Sequence, residues 1–596
     1  MRALSGSFEH NQVRGEVYAS EPLKMMKMPQ AHRIGPARHP TLELESISGW
    51  RSFAPESGDG ESALPSADCH PITVVPGLHR LFLEYCSGAE EARAFYSDSP
   101  GNAAAASPSA HRPELVGLLA AENAAPSPAA AAALDALRAG AGVVVTGQQV
   151  GLFGGPLFTP LKAATALARA RAATAEGRPQ AAVFWLATED HDFAEISHVT
   201  FPARRELRRL EYAHSPATPC PVGGVVLDET ITPLVDQAWE LLGASDAMEA
   251  LAAAYQPGRT FAQAFSEFYR KVFAAEGLLV IDAGGRDFHR LGAPVLRAGI
   301  ERADELHAAL VERNLALEAA GFHAQVAVGM QSSLLFLVDG RTGARLALKR
   351  TAPSAGEPSG LWQAGRESYS TSDLLGILAS EPERISPSAL LRPVFQDYLL
   401  ATSEIVGGPA EIAYFAQSAV LYERILGRVT PAMPRFSATL IEPEIAELLA
   451  RHALTLERLF EGPPTELAQL LAARDLPPEG KHRLAEAGLS LEDELVPLLD
   501  WMRSLDAGLG RSAETAANKM RYQMSRLRRL AANFQLQRET QLTHQAEQIS
   551  QALYPGGVLQ ERVHGAAFYF ARYGFELAEE LTARAGECSG HAAIWL

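Results

Sequence analysis

Three short apolar runs stand out along the chain, each ending abruptly in glycine or acidic residues. Gly142-Val143-Val144-Val145-Thr146 leads into a glycine-rich stretch that ends at Gly154-Gly155-Pro156. Residues 181–187 (AAVFWLA) lead into Thr188-Glu189-Asp190-His191-Asp192, and residues 278–282 (LLVID) into Ala283-Gly284-Gly285. Runs without polar alternation predict strands buried on both faces. A helix should follow the first run, starting at Pro156 or Pro160 and reaching about Arg171, because a first helical turn tolerates proline. Strand, turn and helix repeated in this way predict a parallel α/β sheet. Residues 331–350 read as a hairpin around a glycine-containing turn. The alanine-rich stretch 102–138, broken by Pro108, Pro113 and Pro126, predicts short helices.

The C-terminal pattern is different. No proline lies between Pro497 and Pro555, and Leu498, Met502, Leu505, Leu509, Ala516, Met520, Leu527, Leu530, Phe534, Leu542, Ala546, Ile549 and Leu553 form a heptad-like stripe. One helix over that span would be about 85 Å long. It needs a partner, either the helices of 441–490 in a hairpin or a second subunit. Gly508 and Gly510 mark where it can bend. Residues 1–70 show little periodicity and read as a poorly ordered extension, with order starting near Ile72. Met25, Met26 and Met28 allow a downstream start. The domains expected are 1–70 (extension), 71–440 (core), 441–555 (helical arm) and 556–596 (a segment packing back on the core).

Composition narrows the function. The chain has 596 residues, 47% hydrophobic and 21% charged, and a net charge of −17. That balance argues against general nucleic-acid or anionic-membrane binding. No apolar run approaches the roughly 18 residues of a membrane span, and MRALSGSFEHNQ has no signal-peptide core. Cys69, Cys86, Cys220 and Cys588 are too few for a disulfide scaffold and lack zinc-site spacing. A cytoplasmic protein is expected.

Two constellations should share one crevice at the carboxyl ends of adjacent strands. The first is Thr146-Gly147-Gln148-Gln149, with Lys162 early in the following helix. Glycines there permit close backbone approach, and a helix start favours an anion; the alternative is a tight turn. The second is Glu189-Asp190-His191-Asp192, which can move a proton, hold a divalent ion or bind an amine; the alternative is helix capping by aspartate. A third stretch carries Arg392, Gln396, Asp397 and Glu411. Arg392 suits a carboxylate or phosphate, and an ion pair with Asp397 is equally compatible with the spacing. Arg521, Arg526, Arg528 and Arg529 read as a salt-bridging helix face. Cys220, between two prolines, reads as structural.

Five segments together carry a family resemblance: VVVTGQQVGLFGGPLFTPLKA, VFWLATEDHDFAEI, ISPSALLRPVFQDYLL, IVGGPAEIAYFAQ and LYPGGVLQERVHGAAFYFARYG. From about Ile72 to the C-terminus the chain resembles the bacillithiol-biosynthesis cysteine-adding enzymes, the BshC family. The resemblance implies an α/β fold: a Rossmann-like, nucleotidyltransferase-type parallel-sheet core with connecting-peptide insertions, plus a long coiled-coil domain that forms a homodimer. It implies a cysteine ligase that joins the carboxyl of L-cysteine to the amine of glucosaminyl-malate. It also implies a pocket for ATP or ADP near the coiled coil, and a divalent metal ion is a further possible cofactor. The expected catalytic residues are Asp190, His191 and Asp192, with His191 as the leading candidate base. The expected substrate-binding residues are Thr146, Gly147, Gln148, Gln149, Lys162, Glu189, Arg392, Gln396, Asp397 and Glu411. By the resemblance, Arg435, Phe436 and Ser437 meet Gln560, Glu561 and Arg562 around the nucleotide. The competing functions are a nucleotidyltransferase for another small metabolite and a non-catalytic coiled-coil scaffold.

Overall fold

A computed structural model of the chain describes residues 67–97, 111–203, 206–350 and 361–596. The expectation for residues 1–66 lies outside these. The three apolar runs form strands β1 (Gly142–Gln148), β2 (Gln180–Leu186) and β3 (Leu279–Ile281), joined by β4 (Thr402–Gly407) and β5 (Ala432–Pro434). All neighbours are parallel, in the order β5-β4-β1-β2-β3. That is the doubly wound Rossmann order, and it reverses between β1 and β4. Residues of each strand alternate between two cores. Val144, Phe184, Leu186 and Val280 pack on one face. Val143, Val145, Trp185 and Ile281 pack on the other. Burial on both faces explains why these strands read as unbroken apolar runs.

Three helices position the site: α1 (Phe158–Ala175) after β1, α2 (Arg392–Leu400) before β4, and α3 (Pro409–Leu426) after β4. Two insertions interrupt the core. One, between β2 and β3, carries a hairpin (His198–Pro202 with Leu207–Glu211) and three longer helices. The other, between β3 and β4, carries a five-stranded antiparallel sheet that includes the expected hairpin, Ser332–Val338 with Arg345–Arg350.

The arm is folded back. Helix α4 (Pro464–Asp475) leads to α5 (Pro478–Leu505), α6 (Ala507–Arg538) and α7 (Thr540–Leu553), and α5 and α6 lie against each other. The single long helix is thus replaced by a hairpin. Its break is at Asp506, whose carboxylate accepts the Gly508 and Leu509 amides. Gly510 packs against Arg503, where a Cβ would meet Arg503 atoms at about 3.0 Å. Pro497 sits inside α5 and does not end it. Arg521 pairs with Glu492 across the hairpin and with Glu514 on its own helix.

The extension boundary also moves. Ala67–His70 is a strand paired with His591–Trp595, which in turn lies parallel to Ser437–Ile441. Cys69 and Cys588, 519 residues apart, form a disulfide between these two chain ends. Cys86 and Cys220 are free, and burial raises both thiol pKa values, so neither is an activated nucleophile.

Candidate active site

The structure brings the two constellations together at the carboxyl ends of β1 and β2, where Gln149 meets Asp190, and their members divide into braces and free groups. Lys162 reaches from α1 to the Gly147 carbonyl (2.8 Å), the Gln148 Oε1 (2.9 Å) and the Glu411 carboxylate. An ammonium has three donors, and all three are used. Burial lowers its pKa and Glu411 offsets this. Glu411 also accepts the Gly408 amide at 2.8 Å, capping α3. Lys162 and Glu411 therefore brace the ends of β1 and β4. Thr146 donates to the Val406 carbonyl across the same two strands (3.1 Å) and is likewise structural. Gly147 permits close packing, since a Cβ there would lie 3.2 Å from the Trp185 carbonyl.

The glycine-rich turn is closed from behind. Gly154 and Gly155 hold φ values of 84° and 69°, conformations that suit glycine. The Gly154 amide donates to the Tyr255 hydroxyl, the Tyr269 hydroxyl donates to the Gly154 carbonyl, and the Leu157 amide donates to the His564 carbonyl. These bonds take up the Gly154 and Leu157 amides and the Gly154 carbonyl. The tight-turn alternative accounts for the glycines.

Asp397 is also a brace. It pairs with Arg428 and accepts the Thr402 amide at 2.8 Å, fully buried. Arg392 does not pair with it. One Arg392 nitrogen donates to the Tyr414 hydroxyl (3.0 Å), and no carboxylate among the described residues forms an ion pair with it. Arg392 nevertheless lies close enough to Glu411 and Asp190 for their charges to act on it. Gln396 is buried beside Gly147, with its amide nitrogen 3.6 Å from the Cβ position there.

The acidic strand end is similarly divided. Glu189 faces the buried His289, 2.9 Å from its Nε2, while the His289 Nδ1 meets the Pro382 and Ile385 carbonyls. Acceptors on both sides favour the protonated form of His289. Burial works against its charge, but Glu189 and the carbonyls raise its pKa. Glu189 is thereby committed. Asp192 accepts the Glu195 amide as the cap of Phe193–Ile196, so capping falls to this residue. Asp190 accepts from Gln149 (2.6 Å) and from the His191 amide (2.7 Å). Burial pushes its pKa up, but these hydrogen bonds with Arg345 and Arg392 bring it below the usual range. Among the described residues no group of three His, Cys, Asp or Glu is set to hold a metal ion, because these carboxylates already have partners.

His191 differs from expectation. Its Nδ1 lies 3.7 Å from Asp190, beyond hydrogen-bond reach, and accepts instead from Arg345 at 3.2 Å. Burial and Arg345 lower its pKa, so it is neutral near pH 7. Nothing in the sequence separated Arg345 from Arg341, Lys349 and Arg350, because its strand does not keep a strict inward–outward alternation. His289 and Tyr414 were missed for a related reason. Each acts through long-range contacts that no local pattern encodes.

A small cleft lies at the base of the arm, lined by Ile72, Val75, Leu78, Phe82, Pro409, Arg435, Ser437, Leu559, Glu561 and Arg562. Arg435 forms a buried pair with Glu561, and Ser437 donates to the same carboxylate. Arg562 has no ion pair among the described residues and is exposed. Two expected members are not available. Phe436 is packed in the core. The Gln560 side chain is spent on the Leu440 amide and the Leu440 and Ala552 carbonyls.

A Rossmann-type parallel sheet with polar groups gathered at its strand ends, joined to a helical arm, defines a two-part α/β protein. The profile "Bacillithiol biosynthesis BshC, N-terminal Rossmann-like domain" matches residues 68–436, and "Bacillithiol biosynthesis BshC, C-terminal coiled-coil domain" matches residues 438–592. The chain belongs to the BshC family. A Koribacter versatilis protein named "Putative cysteine ligase BshC" is 41% identical over 88% of this chain and 99% of its own length. A Solibacter usitatus protein of the same name is 34% identical over 76% of this chain and 84% of its own. A solved Mycobacterium tuberculosis methionyl-tRNA synthetase covers 75% of this chain and 93% of its own at 10% identity, with a TM-score of 0.22, too low to bear on the chemistry.

Proposed function

We propose that this protein is the ligase that completes bacillithiol, joining the carboxyl of L-cysteine to the amine of glucosaminyl-malate. The observation that carries this reading is the set of uncommitted groups at the strand ends of a BshC-family sheet. Arg392 has spare donors for a malate carboxylate. Among the described residues the Gln148 amide nitrogen has no partner and can donate to a sugar or carboxyl oxygen, and the Gln149 Oε1 can accept from a sugar hydroxyl. Asp190 stays ionised beside His191 and suits an ammonium.

The reaction forms a carbon–nitrogen bond and expels a carboxyl oxygen, and the amine must lose a proton to become a nucleophile. Of Asp190, His191 and Asp192, the two carboxylates are the groups at hand for that proton. The small cleft at the base of the arm fits a nucleotide in part: Arg562 is free for phosphate, and Ile72, Val75, Leu78 and Phe82 offer an apolar wall for a base. A bound ATP would supply the driving force for carboxyl activation. We further infer a homodimer through the arm, from its exposed apolar stripe, and a cytoplasmic site of action, where small-metabolite and nucleotide pools lie.

Purified protein given L-cysteine and glucosaminyl-malate, with ATP or ADP in turn, tests the reading by mass spectrometry. Formation of the amide product supports it. Unchanged substrates under every nucleotide condition, with the protein folded, count against it.

A further inference from the structure

Arg345 comes from the inserted hairpin, not from the Rossmann core, yet its guanidinium enters the crevice. It is 9% exposed and lies 3.7 Å from the centre of the Phe336 ring. Its Nε donates to the Ser386 hydroxyl and its Nη2 to the Pro387 carbonyl, both at 3.2 Å. Two hydrogen bonds and the ring-face contact thus hold the guanidinium, and a third hydrogen bond carries Nη1 to His191 Nδ1.

A guanidinium only donates. The Nδ1 that receives it must present its lone pair, so the proton of the neutral ring sits on Nε2. The other groups around the ring agree. Asp190 is too far to accept from Nδ1, Asp192 is turned to its helix cap, and Phe336 presents a ring face 6.0 Å away. We infer that Arg345 is a positioning residue that fixes His191 as an Nε2–H donor, so that His191 offers a hydrogen bond to a substrate oxygen and is not the proton acceptor. The donor role rests on the ligase reading, whereas the tautomer does not. A donor aimed at developing negative charge on an acyl oxygen is a recognised source of rate enhancement.

Long-range nitrogen–proton NMR on protein carrying ¹⁵N-histidine, with His191 assigned by its loss in His191→Gln, reads the protonated nitrogen directly. The wild-type protein at pH 7 should show Nε2–H with Nδ1 bare. Arg345→Met should move the ring toward Nδ1–H and raise its titration midpoint. Arg345→Lys, which keeps a donor, should retain most of the wild-type signal. In the ligase assay Arg345→Met should lower kcat by about 10–10²-fold with KM little changed. An Nδ1–H or doubly protonated His191 in the wild-type protein at pH 7 overturns the inference, as does an unchanged spectrum in Arg345→Met. If Arg345→Met does not fold, the wild-type spectrum and Arg345→Lys decide the matter. The spectra do not depend on turnover, so failure of the tautomer and failure of the ligase reading appear separately.

Discussion

Lys162 and Arg392 carry the same charge in one crevice, and their partners divide the work between them. Lys162 spends every donor inside the protein. Arg392 spends one. Lys162→Met should therefore lower stability by about 2–4 kcal/mol, since it strips the partner from a carboxylate and two oxygens. Arg392→Ala should leave the melting temperature nearly unchanged and lower kcat/KM by about 10²-fold. Thermal melts with steady-state kinetics on both variants check this, and the reverse pattern would exchange the two assignments. Buried histidines set a second residue-scale expectation. Burial holds His564 and His591 at about 4. The unfolded chain protonates them below about 6.5, so it binds more protons than the folded chain between 6.5 and 4. Their stabilisation is complete above about 6.5 and is lost as pH falls toward 4, by about 3 kcal/mol for each. Denaturant midpoints that stay flat from pH 7 to 4.5 would contradict it.

At the scale of elements, the apolar runs were enough to find β1, β2 and β3, because strands buried on both faces leave no polar interruption. The arm was legible only in part. Its stripe identified helices in need of a partner, with a hairpin as one alternative, and Gly508 and Gly510 marked the bend; what the sequence did not show is Asp506 as the cap of the turn. That turn depends on one carboxylate accepting two amides, and Pro497 inside α5 removes the expected boundary. The hairpin also leaves much of the stripe uncovered. Leu527 and Leu530 are each 55% exposed and Phe534 60%, while Leu495, Leu499 and Ala517 form a small buried cluster between α5 and α6. A second copy covering this face would bury those side chains. Leu527→Asp with Leu530→Asp should then give a monomer in sedimentation, because carboxylates in an apolar seam are costly. A wild-type monomer, or a dimer unchanged by the pair of substitutions, would remove the arm as the interface.

Across the whole molecule, the site lies where three distant parts of the chain meet. The core supplies Gln148, Gln149, Asp190, His191 and Arg392, the inserted sheet supplies Arg345, and the segment after the arm closes the back of the glycine-rich turn through His564. The sequence located the first group because it sits at strand ends with recognisable neighbours. It could not show Arg345 or the pairing of Cys69 with Cys588, since both depend on residues that only folding brings together. It also could not separate braces from free groups. Lys162, Asp397 and Glu189 look as reactive as Arg392 until their partners are seen. The most direct test of the account is complementation of a strain that lacks its bacillithiol ligase, with cellular thiols measured by mass spectrometry. The wild-type chain should restore bacillithiol and deplete accumulated glucosaminyl-malate, and Arg392→Ala, present at equal level, should not. A stably expressed wild-type chain that leaves bacillithiol absent and glucosaminyl-malate high would contradict the account.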